Sequence, residues 1–381
     1  MKKVFMFVNV DWFFLSHRLP IAMVAAKNNI DMSVYTDFTK VRDNDGVNKF
    51  KLLRSPLGRV AKYPGYEFIE LIKVFFLIRK RKPHLIHAVT IKPMILLGIV
   101  ARLTNTPFIG AISGLGPAFI QTGWKSKLRL ALILKLYRFI FRSPESGVIC
   151  QSKNDVDFLL KAKVCDRLKI FIIAGSGVDL KKYSPDRALD SNESVILMAS
   201  RILSDKGVLE FCAAAKILQN ENKSHIKFKL AGPIDLLSPT GIPKEKLLSI
   251  CLDSGIEYLG NRSDLDVLLA SAKLFVYPSY YPEGIPKVLL EAAASGTPVL
   301  TTDHPGCRDA IIYGETGFTV EPKDEKKLAK MISQMLADEK LADMGVEGRK
   351  LAEEFFDQEK VIESHYKRSE ERRVGKECRS R

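Results

Sequence analysis

No two cysteines in this 381-residue chain stand at CxxC spacing. The six (Cys150, Cys165, Cys212, Cys251, Cys307 and Cys378) are scattered, and no histidine joins them at metal-ligand spacing. Neither a zinc site nor a disulfide framework is therefore expected, and a reducing cytoplasm suits the composition. Long apolar runs are missing too: no stretch of about 18 uncharged apolar residues occurs, so no spanning helix is expected. "MKKVFMFVNVDWFF" begins like a secretory signal, but Asn9 and Asp11 interrupt its apolar run and no small-residue cleavage site follows. It reads instead as a buried first strand, Val4 to Val10. No GxGxxG follows that strand, which argues against a dinucleotide oxidoreductase. Fixed-period repeats and low-complexity segments are absent.

What is present is alternation. The runs "VFMFVNV", "DMSVYT", "HLIHAVT", "PFIGAIS" and "GVICQS", then "SVILMAS", "KFKLAG", "IEYLG", "KLFVYPS" and "TPVLTT", are separated by longer helical patterns. Such a chain folds as βαβ units with parallel sheets covered by helices. The polar, turn-rich segment at 175–195 divides it into two Rossmann-like domains, residues 1–180 and 181–366. Ligands bind beyond the carboxyl ends of strands in open α/β sheets, so two such domains are expected to face each other across a cleft. The tail 367–381, "KRSEERRVGKECRSR", has no apolar periodicity and reads as disordered or as an appended sequence outside the fold.

Charge is divided unevenly. Residues 1–180 carry 29 Lys and Arg against 12 Asp and Glu, whereas the chain as a whole is +15. The basic half is expected to meet an anionic partner. Two stretches concentrate the effect, "ELIKVFFLIRKRKPH" and "GWKSKLRLALILKLYRFIFRSPE", where cations alternate with Leu, Ile, Phe and Tyr. A basic amphipathic helix of this kind suits an anionic membrane surface, and packing on the sheet as an ordinary Rossmann helix remains the alternative. RNA-binding motifs are missing, so no nucleic-acid partner is expected.

The residues able to do chemistry cluster in the second half. In "KLFVYPSYYPEGIPKVLLEAAASG" a strand runs through a turn into a helix beginning near Pro286. Glu283 precedes that helix, and Glu291 lies about five residues inside it. Backbone N–H groups at Gly284, Ile285 and Lys287 would be open to a phosphate or to sugar hydroxyls. Upstream, Arg201 follows the strand "SVILMAS" and Lys206-Gly207 opens the next helix, a placement suited to a diphosphate. Taken singly, each of these is also compatible with a helix cap or a solvated surface charge. In the first half His17 and Arg18, at the head of the first helix, and Lys92, after "HLIHAVT", are candidates for the cleft.

Arg201, Lys206, Glu283 and Glu291, with "AGP" at 231–233, "YLGNRSD" at 258–264 and "GETGFTVEPKD" at 314–324, resemble the donor-binding half of retaining family-4 glycosyltransferases of the GT-B fold. The two glutamates match that family's E-x7-E motif. "GSGVD" at 175–179 resembles the end of its N-terminal domain, and "DWFFLSHRLPIA", where many members have a Gly-Gly loop, resembles a subgroup acting on bacterial surface polysaccharides.

The resemblance implies that Arg201 and Lys206 bind the diphosphate of a nucleotide sugar, with UDP the expected nucleotide. Glu283, Gly284, Ile285, Pro286 and Lys287 would meet the donor sugar and its phosphate, and Glu291 the ribose. "AGP" and "YLGN" would line the base pocket. Catalysis would rest on Glu283, Lys206 and Arg201, with no cofactor and no metal; "DLD" at 264–266 sits by the base region and is not expected to bind one. The implied acceptor is a lipid-linked sugar or oligosaccharide, used by an enzyme held peripherally at the inner face of the cell membrane. A nucleotide-sugar epimerase of the same architecture is the alternative.

Overall fold

The computed structural model describes residues 2–37, 51–57, 65–112, 123–173, 175–189, 194–221 and 226–364. The 367–381 segment lies outside them, as do residues 190–193 of the 175–195 segment. Two compact units emerge: Met1–Ser176 with the segment from Glu359, and Gly177–Gln358.

The first unit is a seven-stranded parallel sheet. Its strands are β1 (Lys2–Val10), β2 (Ile30–Asp37), β3 (Lys51–Arg54), β4 (Leu85–Val89), β5 (Phe108–Ala111), β6 (Ser146–Cys150) and β7 (Ile170–Ile172), in the order β3-β2-β1-β4-β5-β6-β7. Every residue of β4, β5 and β6 is buried, the pattern of a parallel sheet covered on both faces. Helices α1 (Asp11–His17) and α2 (Leu19–Lys27) lie on one face, where Phe14, Ala22 and Ala25 join Met6, Val8 and Val34. Val361, in the helical segment 358–364, packs into the same cluster. On the other face α3 (Tyr66–Arg81), α4 (Ile91–Thr104), α5 (Trp124–Phe141) and α6 (Lys153–Lys161) pack around Phe7, Ile86, Phe108 and Val148.

The second unit repeats the plan. Strands β8 (Ser194–Ala199), β9 (Ile226–Ala231), β10 (Ile256–Gly260), β11 (Leu274–Tyr277), β12 (Val299–Thr302) and β13 (Gly317–Val320) form a parallel sheet in the order β10-β9-β8-β11-β12-β13. Helices α7 (Val208–Asn220), α8 (Lys244–Asp253) and α12 (Glu325–Ala337) enclose the core built on Met198, Phe211, Phe228 and Val276. The remaining helices are α9 (Leu265–Ala270), α10 (Lys287–Ala294), α11 (Pro305–Arg308) and α13 (Leu341–Leu351), with α10 packed against α9, β12 and α13. The segments at the two ends of this unit pair through Val178 and Asp357, where the Val178 N–H donates to the Phe356 carbonyl at 2.8 Å.

Both sheets reverse direction of growth beside their first strand, between β1 and β4 and between β8 and β11. At such a switch point the loops leaving two neighbouring strands diverge and open a crevice. The residues after β8 and β11 are Arg201, Lys206 and Glu283; those after β1 and β4 are His17, Arg18 and Lys92.

Candidate active site

Beyond β8 the chain makes a 3₁₀ turn, Ser204–Lys206, and enters α7 through Gly207 at φ +80°. Only glycine suits that position, because a Cβ there would lie 2.2 Å from the Pro278 carbonyl oxygen, besides the unfavourable φ. The tight approach fastens Lys206 to the end of β11. Its side chain is buried, its ammonium forms an ion pair with the Glu283 carboxylate, and it donates to the Tyr277 hydroxyl at 2.9 Å. The Tyr281 ring centroid lies 4.6 Å from the same ammonium. A carboxylate, a hydroxyl and a π-face together offset the cost of burying this charge.

The Tyr277 hydroxyl in turn donates to Glu283 Oε1 at 3.0 Å. Burial, then the Glu283 charge, raise the Tyr277 pKa well above the ordinary tyrosine range, so it stays a neutral donor. The loop that carries Glu283 is pinned on several sides. Thr301 Oγ1 donates to the Tyr277 carbonyl at 2.7 Å, Thr302 Oγ1 donates to the Ser279 carbonyl, and the Tyr280 N–H donates to the Asp205 carbonyl at 3.0 Å. The N-terminal end of α11 presses on it from below: a Cβ at Gly306 would meet the Gly284 and Glu283 carbonyl oxygens at 2.2 and 2.6 Å. Beside it His304 is half-buried; burial lowers its pKa, Glu283 pulls it up, and Arg308 and Lys206 push it down, leaving it below the ordinary histidine value.

Arg201 Nη1 pairs with Asp235 Oδ2 at 2.9 Å, and its guanidinium carbon lies 6.0 Å from the Tyr281 centroid. Both cations thus share one aromatic ring. Burial lowers the Arg201 pKa, but the hydrogen bond it donates to Asp235 and the charges of Tyr281, Asp235 and Glu283 outweigh it and raise the net value. The guanidinium is a permanent charge at this site.

Gly284, Ile285 and Pro286 are buried. Helix α10 starts at Lys287 with Pro286 as its cap at φ −62°, one residue later than the sequence pattern suggests. Proline takes the cap because its fixed φ also suits the extended residue before a helix. No side chain caps this end; within its first turn the Leu289 N–H donates to the Pro286 carbonyl at 3.0 Å. Glu291, fifth in the helix, is 7% exposed and so is not a solvated helix residue. Burial raises its pKa, while Lys287, 3.6 Å away, and a hydrogen bond with Tyr183 oppose the rise.

The "AGP" and "YLGN" segments stand at the ends of β9 and β10, the next strands along. Gly232, at φ +142°, comes so close to the Ser200 carbonyl that a Cβ would lie 1.7 Å away, and its own carbonyl accepts from the Tyr258 hydroxyl at 2.8 Å. In "DLD", Asp264 accepts two hydrogen bonds from Arg262, at 2.9 and 2.6 Å.

The first-unit candidates are not drawn together in the same way. His17 ends α1 instead of heading it, stacked on Phe13 at 4.3 Å with Nδ1 2.5 Å from Ser16 Oγ. Arg18 links α1 to α2 and is 1% exposed, with burial pushing its pKa down to about 10. Burial, then the Arg18 charge, push neighbouring His87 down to about 3, so it is a neutral core histidine. Lys92 pairs at 2.8 Å with Glu70, which is wholly buried on α3. That is a structural ion pair between α4 and α3, which the sequence expectation of an available cleft lysine did not foresee. Thr90, just before, holds φ +74°, an unfavourable region for a β-branched residue.

Tyr277, Tyr281, Asp235 and His304 escaped the sequence reading. A signal existed for two of them: Tyr277 ends the strand that leads to Glu283, and His304 follows the neighbouring strand.

Comparison with known proteins agrees with this geometry. The model of "Glycosyl transferase 4-like" domains matches residues 3–152, and that of "Glycosyl transferases group 1" matches residues 179–351. A Campylobacter jejuni N,N'-diacetylbacillosaminyl-diphospho-undecaprenol alpha-1,3-N-acetylgalactosaminyltransferase is 31% identical over 64% of this chain and 65% of its own. An Escherichia coli UDP-Gal:alpha-D-GlcNAc-diphosphoundecaprenol alpha-1,3-galactosyltransferase is 28% identical over 68% of this chain and 66% of its own. The chain thus spans just under two thirds of these two relatives. Among solved structures, a Rickettsia africae glycosyltransferase superposes with a TM-score of 0.76 at 18% identity, over 97% of this chain and 98% of that one. Anabaena HepE, solved with UDP, superposes with a TM-score of 0.74 at 18% identity, over 97% and 100%. The chain belongs to the family-4 glycosyltransferases and has their GT-B fold, two Rossmann-like units each built on a parallel sheet.

Proposed function

We propose that this protein transfers a sugar from a nucleotide-sugar donor, UDP-linked, to a lipid-linked sugar or oligosaccharide in surface-polysaccharide biosynthesis, with retention at the anomeric carbon and without a metal. The observation that carries the reading is the meeting of Lys206, Arg201 and Glu283 over the Tyr281 ring and the Tyr277 hydroxyl at a sheet switch point. The printed names of the C. jejuni and E. coli relatives both give a diphospho-undecaprenol acceptor, and the second gives UDP-Gal. The matched relatives are transferases, and the epimerase reading finds no support among them.

In this reading the donor diphosphate sits against Lys206, Arg201 and the positive, N-terminal end of α10. As the bond from the anomeric carbon to the diphosphate oxygen breaks, its electron pair leaves with the diphosphate, and the two fixed cations stabilise the charge where it grows. The acceptor hydroxyl oxygen bonds the anomeric carbon from the same face and gives its proton to the departing phosphate oxygen. Glu283 accepts from donor-sugar hydroxyls; Glu291 accepts from the ribose. No described helix is long and apolar enough to cross a membrane; peripheral attachment at the membrane face is part of this reading and rests on the diphospho-undecaprenol acceptors in the relatives' names.

Incubation with a panel of nucleotide sugars, alone and then with a polyprenyl-diphosphate-linked sugar as acceptor, followed by product NMR and repeated with a chelator, tests this. Slow hydrolysis of one UDP-sugar, an α-linked product and indifference to chelation are expected. A β-linked product or chelator-sensitive turnover would overturn the mechanism, and donor conversion to an epimer would overturn the transfer.

A further inference from the structure

In the first unit α4 packs between α3 and α5, and all three turn one face to the sheet. Val74 and Ile78 of α3 and Ile133, Tyr137 and Ile140 of α5 are buried there. Their opposite faces are not polar. Phe68, Ile72 and Phe76 recur every four residues along α3, and Trp124, Leu128 and Leu132 do the same along α5; all six are exposed, Trp124 at 71% and Phe68 at 66%. Each is therefore an apolar stripe on an outer helix face, and stripes of this size mark an interaction surface.

The flanks select the partner. Lys73, Arg79 and Lys80 border the first stripe; Lys125, Lys127 and Arg129 border the second, and all are exposed. Helices α4 and α5 contain no acidic residue, and α3 has only Glu67 and the Lys92-paired Glu70. Cationic heads rest over aromatic rings, Lys125 5.7 Å from Trp124 and Arg79 5.7 Å from Phe75. Beyond the end of the α5 stripe, Lys135, Arg138, Arg142, Lys163, Arg167 and Lys169 line a cavity of about 890 Å³ that Phe139 borders, and they outnumber the single lining carboxylate, Asp166. Arg138 and Lys169 also bond backbone carbonyls of Ala162, Phe141 and Ser143 there, which fixes the positive wall. A second copy of this face would bring cation against cation.

We infer that the outer face of α3, α4 and α5 docks on an anionic lipid bilayer. Both helices lie in the interface plane, the two stripes enter the acyl boundary, and the cavity at the end of α5 receives headgroup phosphate. The surface shares no residue with the donor site, so it stands or falls independently of the proposed transfer.

Vesicle flotation with phosphatidylcholine alone, and with added phosphatidylglycerol, tests the inference on wild type and two variants. One variant joins Phe76→Ser, Leu128→Ser and Leu132→Ser; the other joins Lys135→Gln and Arg142→Gln. Wild type should float with phosphatidylglycerol vesicles at least about 10-fold better than with phosphatidylcholine. The stripe variant should lose the salt-resistant part of binding, and the cavity variant should lose about 10-fold of the anionic preference. Circular dichroism spectra and thermal melts matching wild type certify both variants as folded. Equal binding to both vesicles, no flotation, or variants that float like wild type would overturn the inference. So would self-association that the stripe variant abolishes in place of vesicle binding.

Discussion

The Lys206 ammonium and the Glu283 carboxylate, 77 residues apart in sequence, form an ion pair that the Tyr277 hydroxyl bridges by accepting from the first and donating to the second. Either partner alone would be a poorly compensated charge at the end of a parallel sheet. Together they form a neutral unit that a diphosphate can reopen from the lysine side and a sugar from the glutamate side.

Glu283→Gln keeps the side-chain shape and removes the charge. Transfer should fall about 100-fold, the size of one lost electrostatic contact in an active site. With buried Lys206 then lacking its counter-charge, urea unfolding should show a loss of about 2 kcal/mol as well. Normal turnover would refute the role given to Glu283.

Gly306→Ala places a Cβ against the Gly284 and Glu283 carbonyls, so the loop must move outward. A stability loss of about 1–3 kcal/mol is expected from the overpacking, together with a raised donor KM. Steady-state kinetics separates this from a mere stability defect, since a folded variant with unchanged KM would show that the loop geometry is irrelevant to the donor.

Glu291 has a folded pKa above its ordinary 4.5, first because it is buried. Its contribution to stability is therefore complete below pH 4.5 and declines as pH rises through the higher folded value. Glu291→Gln should abolish that decline and unfold at a higher temperature at neutral pH, while its affinity for UDP drops. Thermal melts across pH check the first part and calorimetry the second; a destabilised Gln variant would contradict the burial argument.

Lys92→Met leaves Glu70 buried without its cation. A loss of about 3–5 kcal/mol is expected, recovered in the Lys92→Met, Glu70→Leu double variant, with donor hydrolysis per folded molecule unchanged in both. Loss of hydrolysis in the stable double variant would favour Lys92 as a cleft residue.

The strands legible in the sequence are the ones buried on both faces, such as β4, β5 and β6, whose apolar runs cannot be anything else of that length. The strands it hid are edges. Lys51–Arg54 and Gly317–Val320 lack a continuous apolar run because one flank meets solvent, and Ile170–Ile172 is too short to show a pattern. Positions beyond the strand ends were legible, Arg201 and Lys206 in the segment after β8 and Glu283 in the loop after β11. Their mutual contacts were not, since nothing in a linear chain announces that Tyr281 lies beneath both cations. The Lys92–Glu70 pair was hidden for a similar reason: the partner sits on another helix. A cue was present, for Glu70 falls in register with buried Val74 and Ile78 at four-residue steps, which aims it inward.

Calorimetric titration of UDP into wild type and Lys206→Ala tests the central claim most directly. Wild type should bind one UDP per chain, and the variant about 100-fold more weakly, as befits a lost charge-assisted contact to diphosphate. Equal affinity in the two proteins would contradict the assignment of this site to the nucleotide.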